Sequence, residues 1–175
     1  MHVESADVPA APVIRDNVIS DNDFYPIYIT GSYLTGERTI TGNSGSGNSD
    51  AAIRITTDFT GTTTLSADND FAWWFSGTDI PAGQTLILDP NVVVKFSSSD
   101  LDVYGTLLAD TTAGNEIVFT SIHDDTYGGD TNNNGSSTVP GKSDWAGIDI
   151  HSGGSATLNH VVVRYSHGTD HGQIN

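Results

Sequence analysis

The sequence predicts an all-β protein built as a parallel β-solenoid. Three observations carry that expectation: a composition dominated by turn formers, an excess of β-branched apolar residues, and a stretch that matches itself after a fixed shift. Of the 175 residues, 89 are Gly, Ser, Thr, Asn or Asp, and 19 of the 22 acids are Asp rather than Glu. Short polar side chains of this kind bond their own backbone in turns and compete with helix formation. Ile and Val number 27 against eight Leu, and stiff branched side chains pack well on a pleated surface. The hydrophobic fraction of 36% allows a real core and is too high for simple disorder.

Residues 1–11 read as a Pro- and Ala-containing tail. Residues 12–57 carry the repeat. Laying PVIRDNVISDNDFYPIYITG over TITGNSGSGNSDAAIRITT at a shift of 26 superposes Ile14 on Ile40, Asn17 on Asn43, Asn22 on Asn48, Ile27 on Ile53 and Ile29 on Ile55. Repetition at such a period is the mark of stacked architectures, in which like side chains form ladders along the axis. The two Asn pairs, Asn17 with Asn43 and Asn22 with Asn48, are the expected ladders. No third copy of the repeat is found over residues 56–80, and 58–79 therefore read as a junction, with Trp73 and Trp74 covering an end or flank of the second stack. Residues 80–175 resume short alternating pairs such as Leu86/Leu88, Val92/Val94/Phe96, Leu101/Val103 and Val161/Val163/Tyr165. Alternation sends every second side chain to one face. Leu86 to Leu107 is 21 residues and Val94 to Ile117 is 23, both lengths that suit one coil. The strands are shorter than those of most sandwiches.

The run from residue 80 to 167 resembles the right-handed parallel β-helix modules of large secreted and cell-surface, adhesin-like prokaryotic proteins of the pectin-lyase-like superfamily. The resemblance rests on IPAGQTLILDPNVVVKF, GTLLADTTAGNEIVFTSIHDDTYGGDTNNNG, DWAGI and the LNHVVVRY strand. It implies a right-handed coil and an extracellular or cell-surface location, and says little about activity. In such modules an RY strand commonly runs into coils like the one that begins at Pro12. This places assembly ends at Ile14 on one side and Val161, Val163 and Tyr165 on the other, with copies stacked head to tail or neighbouring coils supplied by a longer chain.

The formal net charge is −16 from 22 acids and six Lys and Arg, so the chain is repelled by phosphate backbones and is not expected to bind nucleic acid. There is no Cys, which removes disulfides and thiolate chemistry. No run of about 18 apolar residues suggests a membrane span.

The strongest local motif is the inserted loop 123–144. Asp130, Asn132 and Asn134 alternate and are followed by Gly135, the first half of a D-x-[DN]-x-[DN]-G calcium loop, in which alternation turns oxygen ligands toward one hard cation. The twelfth position is Gly141 rather than Glu, so the expected site borrows Asp124, Asp125 and Asp144. Calcium is the expected cofactor. His151, His160, His167 and His171 follow no known ligand spacing and read as a polar stack. Asp124–Asp125 and Ser166-His167-Gly168 echo pectin hydrolases, yet no Arg-x-Lys follows and neighbouring carboxyls in one loop give no assurance of the separation that inversion needs. Threonines 56, 57, 60 and 62–64 raise ice binding, which needs a Thr-x-Thr on several coils rather than one. The sequence thus predicts a noncatalytic structural segment of a surface protein or filament, with a polysaccharide-binding or polysaccharide-degrading domain as the alternative.

Overall fold

A computed structural model of the chain describes residues 2–5, 12–31 and 34–167. Among them the chain is all β. Its strands are β1 (His2–Ser5), β2 (Ile14–Arg15), β3 (Ile27–Gly31), β4 (Leu34–Glu37), β5 (Ile40–Thr41), β6 (Ala52–Ile55), β7 (Phe59–Leu65) and β8 (Ala72–Phe75). Then follow β9 (Thr85–Leu88), β10 (Val93–Phe96), β11 (Asp100–Val103), β12 (Thr106–Asp110), β13 (Ile117–Ser121), β14 (Gly147–Ile150), β15 (Ser155–Asn159) and β16 (Val161–Val163). No helix of the described residues is long and apolar enough to cross a membrane.

Every strand pairing is parallel. A seven-stranded sheet runs β1-β3-β6-β8-β10-β13-β16, a five-stranded sheet runs β15-β12-β9-β7-β4, and β11-β14 and β2-β5 form two short pairs. Parallel neighbours cannot be joined by a hairpin. Here the chain instead makes a circuit through the other sheets and returns one strand further along. Ile27 sits beside Ile53, a circuit of 26 residues; Ile53 lies beside Trp73, a circuit of 20; Trp73 pairs Val94, a circuit of 21; and Val94 pairs Phe119, a circuit of 25. Leu86 pairs Leu107 at the expected 21, whereas Val94 aligns with Phe119 rather than Ile117, two residues beyond the expected register. The next return, Ile117 to Val161, takes 44 residues because the loop 123–144 is inserted in it.

The residues read as a junction supply β7 and β8, which take their places in the two large sheets. Trp73 is buried in the core and its indole N–H donates to Ser66 O at 3.0 Å, while Trp74 points the other way. At the other end of the chain, His2–Ser5 of the stretch read as a tail pair with β3, and residues 6–11 lie outside the described residues. So do 168–175, including His171.

One core runs the length of the stack. Phe59, Phe75, Phe96 and Phe119 follow one another with centroids 5.4, 5.8 and 6.5 Å apart, and Trp145 stacks on Phe96 at 4.3 Å. Aromatic rings so placed add to the value of their buried area. Leu34, Leu86 and Leu107 line the five-stranded side.

The polar counterpart of this core is a ladder of asparagine amides. Asn17 Nδ2 donates to Asn43 Oδ1 at 2.9 Å, and Asn43 Nδ2 donates to Asn69 Oδ1 at 3.0 Å. The buried Asn43 and the half-buried Asn69 also return to the previous circuit, Asn43 Nδ2 to Ile14 O and Asn69 Nδ2 to Ile40 O. Asn69 is thus a third copy at the 26-residue shift. Asn22 and Asn48 form a second, two-membered ladder at 2.7 Å. The neighbouring Asp16 and Gly42 both have positive φ, at 54° and 68°. Asp tolerates this left-handed conformation through local hydrogen bonding and Gly through its missing Cβ. Asn43 is 1% exposed. Replacing it by alanine strands Asn17 Nδ2 and Ile14 O, so Asn43→Ala should destabilise the fold by about 2–4 kcal/mol in a denaturant titration, from lost and unsatisfied buried hydrogen bonds.

Candidate functional site

The inserted loop closes over the outer face of the seven-stranded sheet. Along β10, Val94 and Phe96 face the core, so Lys95 must face outward, yet it is fully buried. The loop is what buries it. Lys95 Nζ donates to Asp124 O at 2.9 Å and to Gly129 O at 2.7 Å, and Gly128 rests against Ala72, Val93 and the lysine stem. Further on, Ala51 N donates to Thr131 O at 2.7 Å and Asn133 Nδ2 donates to Asn48 O at 3.1 Å. The loop therefore lies across the outer ends of β6, β8 and β10. Burial pushes the Lys95 ammonium down to about 8, while Asp124, Asp125 and Asp130 pull it up.

Of the six residues expected to hold calcium, Asp130, Asn132 and Asn134 share one hydrogen-bonded turn, while Asp124 and Asp144 each have donors of their own. The Asp124 carboxylate accepts from Thr120 Oγ1 at 2.6 Å, from the backbone N–H and hydroxyl of Thr126, and pairs with Arg164 at 3.4 Å. Burial works against its charge, but these donors outweigh it and hold the carboxyl below its usual range. Asp130 accepts from Asn134 N at 3.1 Å and Gly135 N at 2.7 Å, closing its own turn. Asn132 and Asn134 both donate to Thr138 Oγ1. Asp144 accepts from Ser121 Oγ at 2.5 Å and Gly141 N at 3.0 Å, with His123 Nδ1 at 3.3 Å. Asp125 is exposed.

The carboxylates that converge lie on the short β11-β14 pair. Asp100, Asp102 and Asp149 each present an oxygen within 4.8 Å of the others, and Asp102 sits directly beside Asp149 in the parallel register. This is the group among the described residues that could take a divalent cation through oxygen ligands. His151 Nε2 lies 2.8 Å from Asp102 Oδ1, and its ring stacks on Tyr104 at 4.2 Å. The hydrogen bond to Asp102 raises the His151 pKa above 6.5. Asp79 is raised by burial and then by Asp58, Asp102 and Asp100. Sequence reasoning missed this rank, although Asp100 and Asp102 flank Leu101, and Asp149 and His151 flank Ile150, in the alternation that marks outward positions.

Ile14 is buried, whereas Val161, Val163 and Tyr165 are half-buried. Thr62, Thr85, Thr106 and Ser155 align as a rank along the five-stranded sheet, with Thr106 Oγ1 and Ser155 Oγ 3.2 Å apart. The partner positions two residues on are Thr64, Ile87, Leu108 and Thr157, so along this rank the Thr-x-Thr pattern occurs on one circuit only. The chain matches no family model, no curated protein and no solved structure.

Two outcomes follow from this geometry. Because the Lys95 pKa is lowered from 10.5 to about 8, the folded state binds fewer protons than the unfolded state between those values, so this group's contribution to stability rises with pH across that window by about 3 kcal/mol. Subtracting the profile of Lys95→Met from that of the parent in urea titrations should isolate the rise; parallel profiles would show that the ammonium is not held as described. For the acidic trio, added calcium should raise the parent's melting temperature. Asp102→Asn should remove that response and move the His151 titration, followed by NMR, back toward 6.5. Identical melting of the parent with calcium and with chelator would assign the trio to solvated surface.

Proposed function

We propose that the chain is a segment of a right-handed parallel β-helix with a noncatalytic, structural role in an extracellular or cell-surface protein or filament, its stack continued by further coils of a longer chain or by a second copy. One observation carries this reading. Leu107, Ala109, Ile117 and Phe119 are wholly buried, while the residues paired with them one circuit later, Ala156, Leu158, Val161 and Val163, are only partly so. Among the described residues no strand lies beyond β15 and β16. An exposed apolar strand edge with free backbone groups is a template for another strand, and a next coil with inward apolar residues would complete it. The heterologous contact so formed does not close on itself and propagates into a fibre.

The resemblance to secreted β-helix modules supports an extracellular setting. Calcium fits the same reading, since a divalent cation between Asp100, Asp102 and Asp149 relieves repulsion between adjacent circuits.

Sedimentation velocity over a concentration series should show association that weakens in the double variant Val161→Lys/Val163→Lys, because charge at an edge opposes strand addition. A single monomeric species at every concentration overturns self-assembly. Release of reducing ends or unsaturated uronates from polygalacturonate would overturn the noncatalytic reading.

A further inference from the structure

A cleft on the outer face near the first circuits is walled by rings. Phe24, Tyr25 and Tyr28, with His2 and Arg54, line a cavity of about 400 Å³, within the size range of small-ligand sites. Its base follows from strand alternation. In β3, Ile27 and Ile29 face the core and send Tyr28 outward; in β6 and β8 the same pattern sends Arg54 and Trp74 outward, and Arg54 is the register neighbour of Tyr28 on one side and of Trp74 on the other. The guanidinium lies 4.6 Å from the Trp74 ring, 5.0 Å from Tyr25 and 5.9 Å from Tyr28.

Among the described residues this arginine has no anionic partner. The protein carries 22 acids, yet the hydrogen-bond partners of Arg54 are Tyr25 Oη and, at 3.4 Å, Ser76 Oγ, and its Nε is buried without an acceptor. Asp50 is close enough for the two charges to be felt, but among the described residues no carboxylate lies within ion-pair distance of the guanidinium. Trp74 packs against the guanidinium without lining the cleft itself. The guanidinium thus lines the cleft as a cation whose charge a ligand carboxylate would match. Phe24, 71% exposed, completes the outer wall and has no role in the core.

We propose that this cleft binds a carboxylated sugar, a hexuronate unit of an acidic polysaccharide, with the apolar face of the pyranose against the aromatic rings and its carboxylate on Arg54. Each part of the cleft selects one part of that ligand. The negative faces of the rings attract the polarised C–H face of a sugar. A planar guanidinium matches a carboxylate in geometry and charge. A neutral sugar would leave the cation unused, and a small bare anion would leave the rings bare. The inference is independent of end-to-end stacking, because the cleft lies on the flank of the first circuits and the open edge at β15 and β16.

Isothermal titration of the purified chain with methyl β-D-glucuronide, methyl β-D-glucoside and acetate tests it, with tryptophan emission followed in parallel. The glucuronide should bind at least tenfold more tightly than either of the others. Arg54→Gln should reduce it to the level of the glucoside, and Phe24→Ala should weaken it several-fold without lowering the melting temperature, since that ring is exposed. Equal binding of glucuronide and glucoside, equal binding of glucuronide and acetate, or no binding of the glucuronide at millimolar concentration would each overturn the proposal. Full affinity retained in Phe24→Ala would place the sugar elsewhere.

Discussion

Phase is the constraint on which the rest of this structure depends. In a stack of parallel strands a slip of one residue exchanges the inner and outer faces of a strand, so every circuit must return to the same pleat however many residues it contains. At the first corner the phase is held by amide-to-amide hydrogen bonding through Asn17, Asn43 and Asn69, all donating in the same sense. Asn43 and Asn69 also anchor to a carbonyl of the circuit before them. With the corner fixed, the alternation in β3, β6 and β8 places Ile29, Ile55 and Phe75 inward, and the aromatic core follows from there.

Unequal circuits create the second feature. The first returns take 26 residues and the next two 20 and 21, so the corner that holds Asn22 and Asn48 has no successor. The loop inserted after β13 folds back against that corner and against the outer faces of β8 and β10. The Asp carboxylates of this segment would repel one another in such a place. Lys95, donated by the sheet, supplies the compensating positive charge from beneath, with two carbonyl acceptors and three nearby carboxylates. The sheet thus supplies a cation to the loop, and the three carboxylates that converge belong to β11 and β14.

Legibility in the sequence followed locality. The pairing of Ile14 with Ile40 and of Ile27 with Ile53 could be read because both circuits keep the same length and the same residue types. The third member, Asn69, was hidden because its circuit drops six residues before Trp73, which breaks the match on one side of the amide while preserving it on the other. Asp102 and Asp149 stand 47 residues apart only because the loop intervenes, and no short-range pattern connects them. The aspartates of the loop suggested a metal from spacing alone, whereas each of Asp124, Asp130 and Asp144 is engaged by nearby hydroxyl or backbone donors. Arg54 and Trp74 were invisible for a similar reason. Their meeting depends on the register of three strands, and neither residue announces its neighbours.

The folded-back loop also has a mechanical consequence. A stack bonded only between nearest neighbours yields one unit at a time, as repeat proteins do. Here Asn133 holds Asn48, Thr131 holds Ala51, and Lys95 holds the stem of the loop, so the circuits from β6 to β13 are stitched together. Tension along the axis would peel the outer circuits singly and meet this middle block as one cooperative unit.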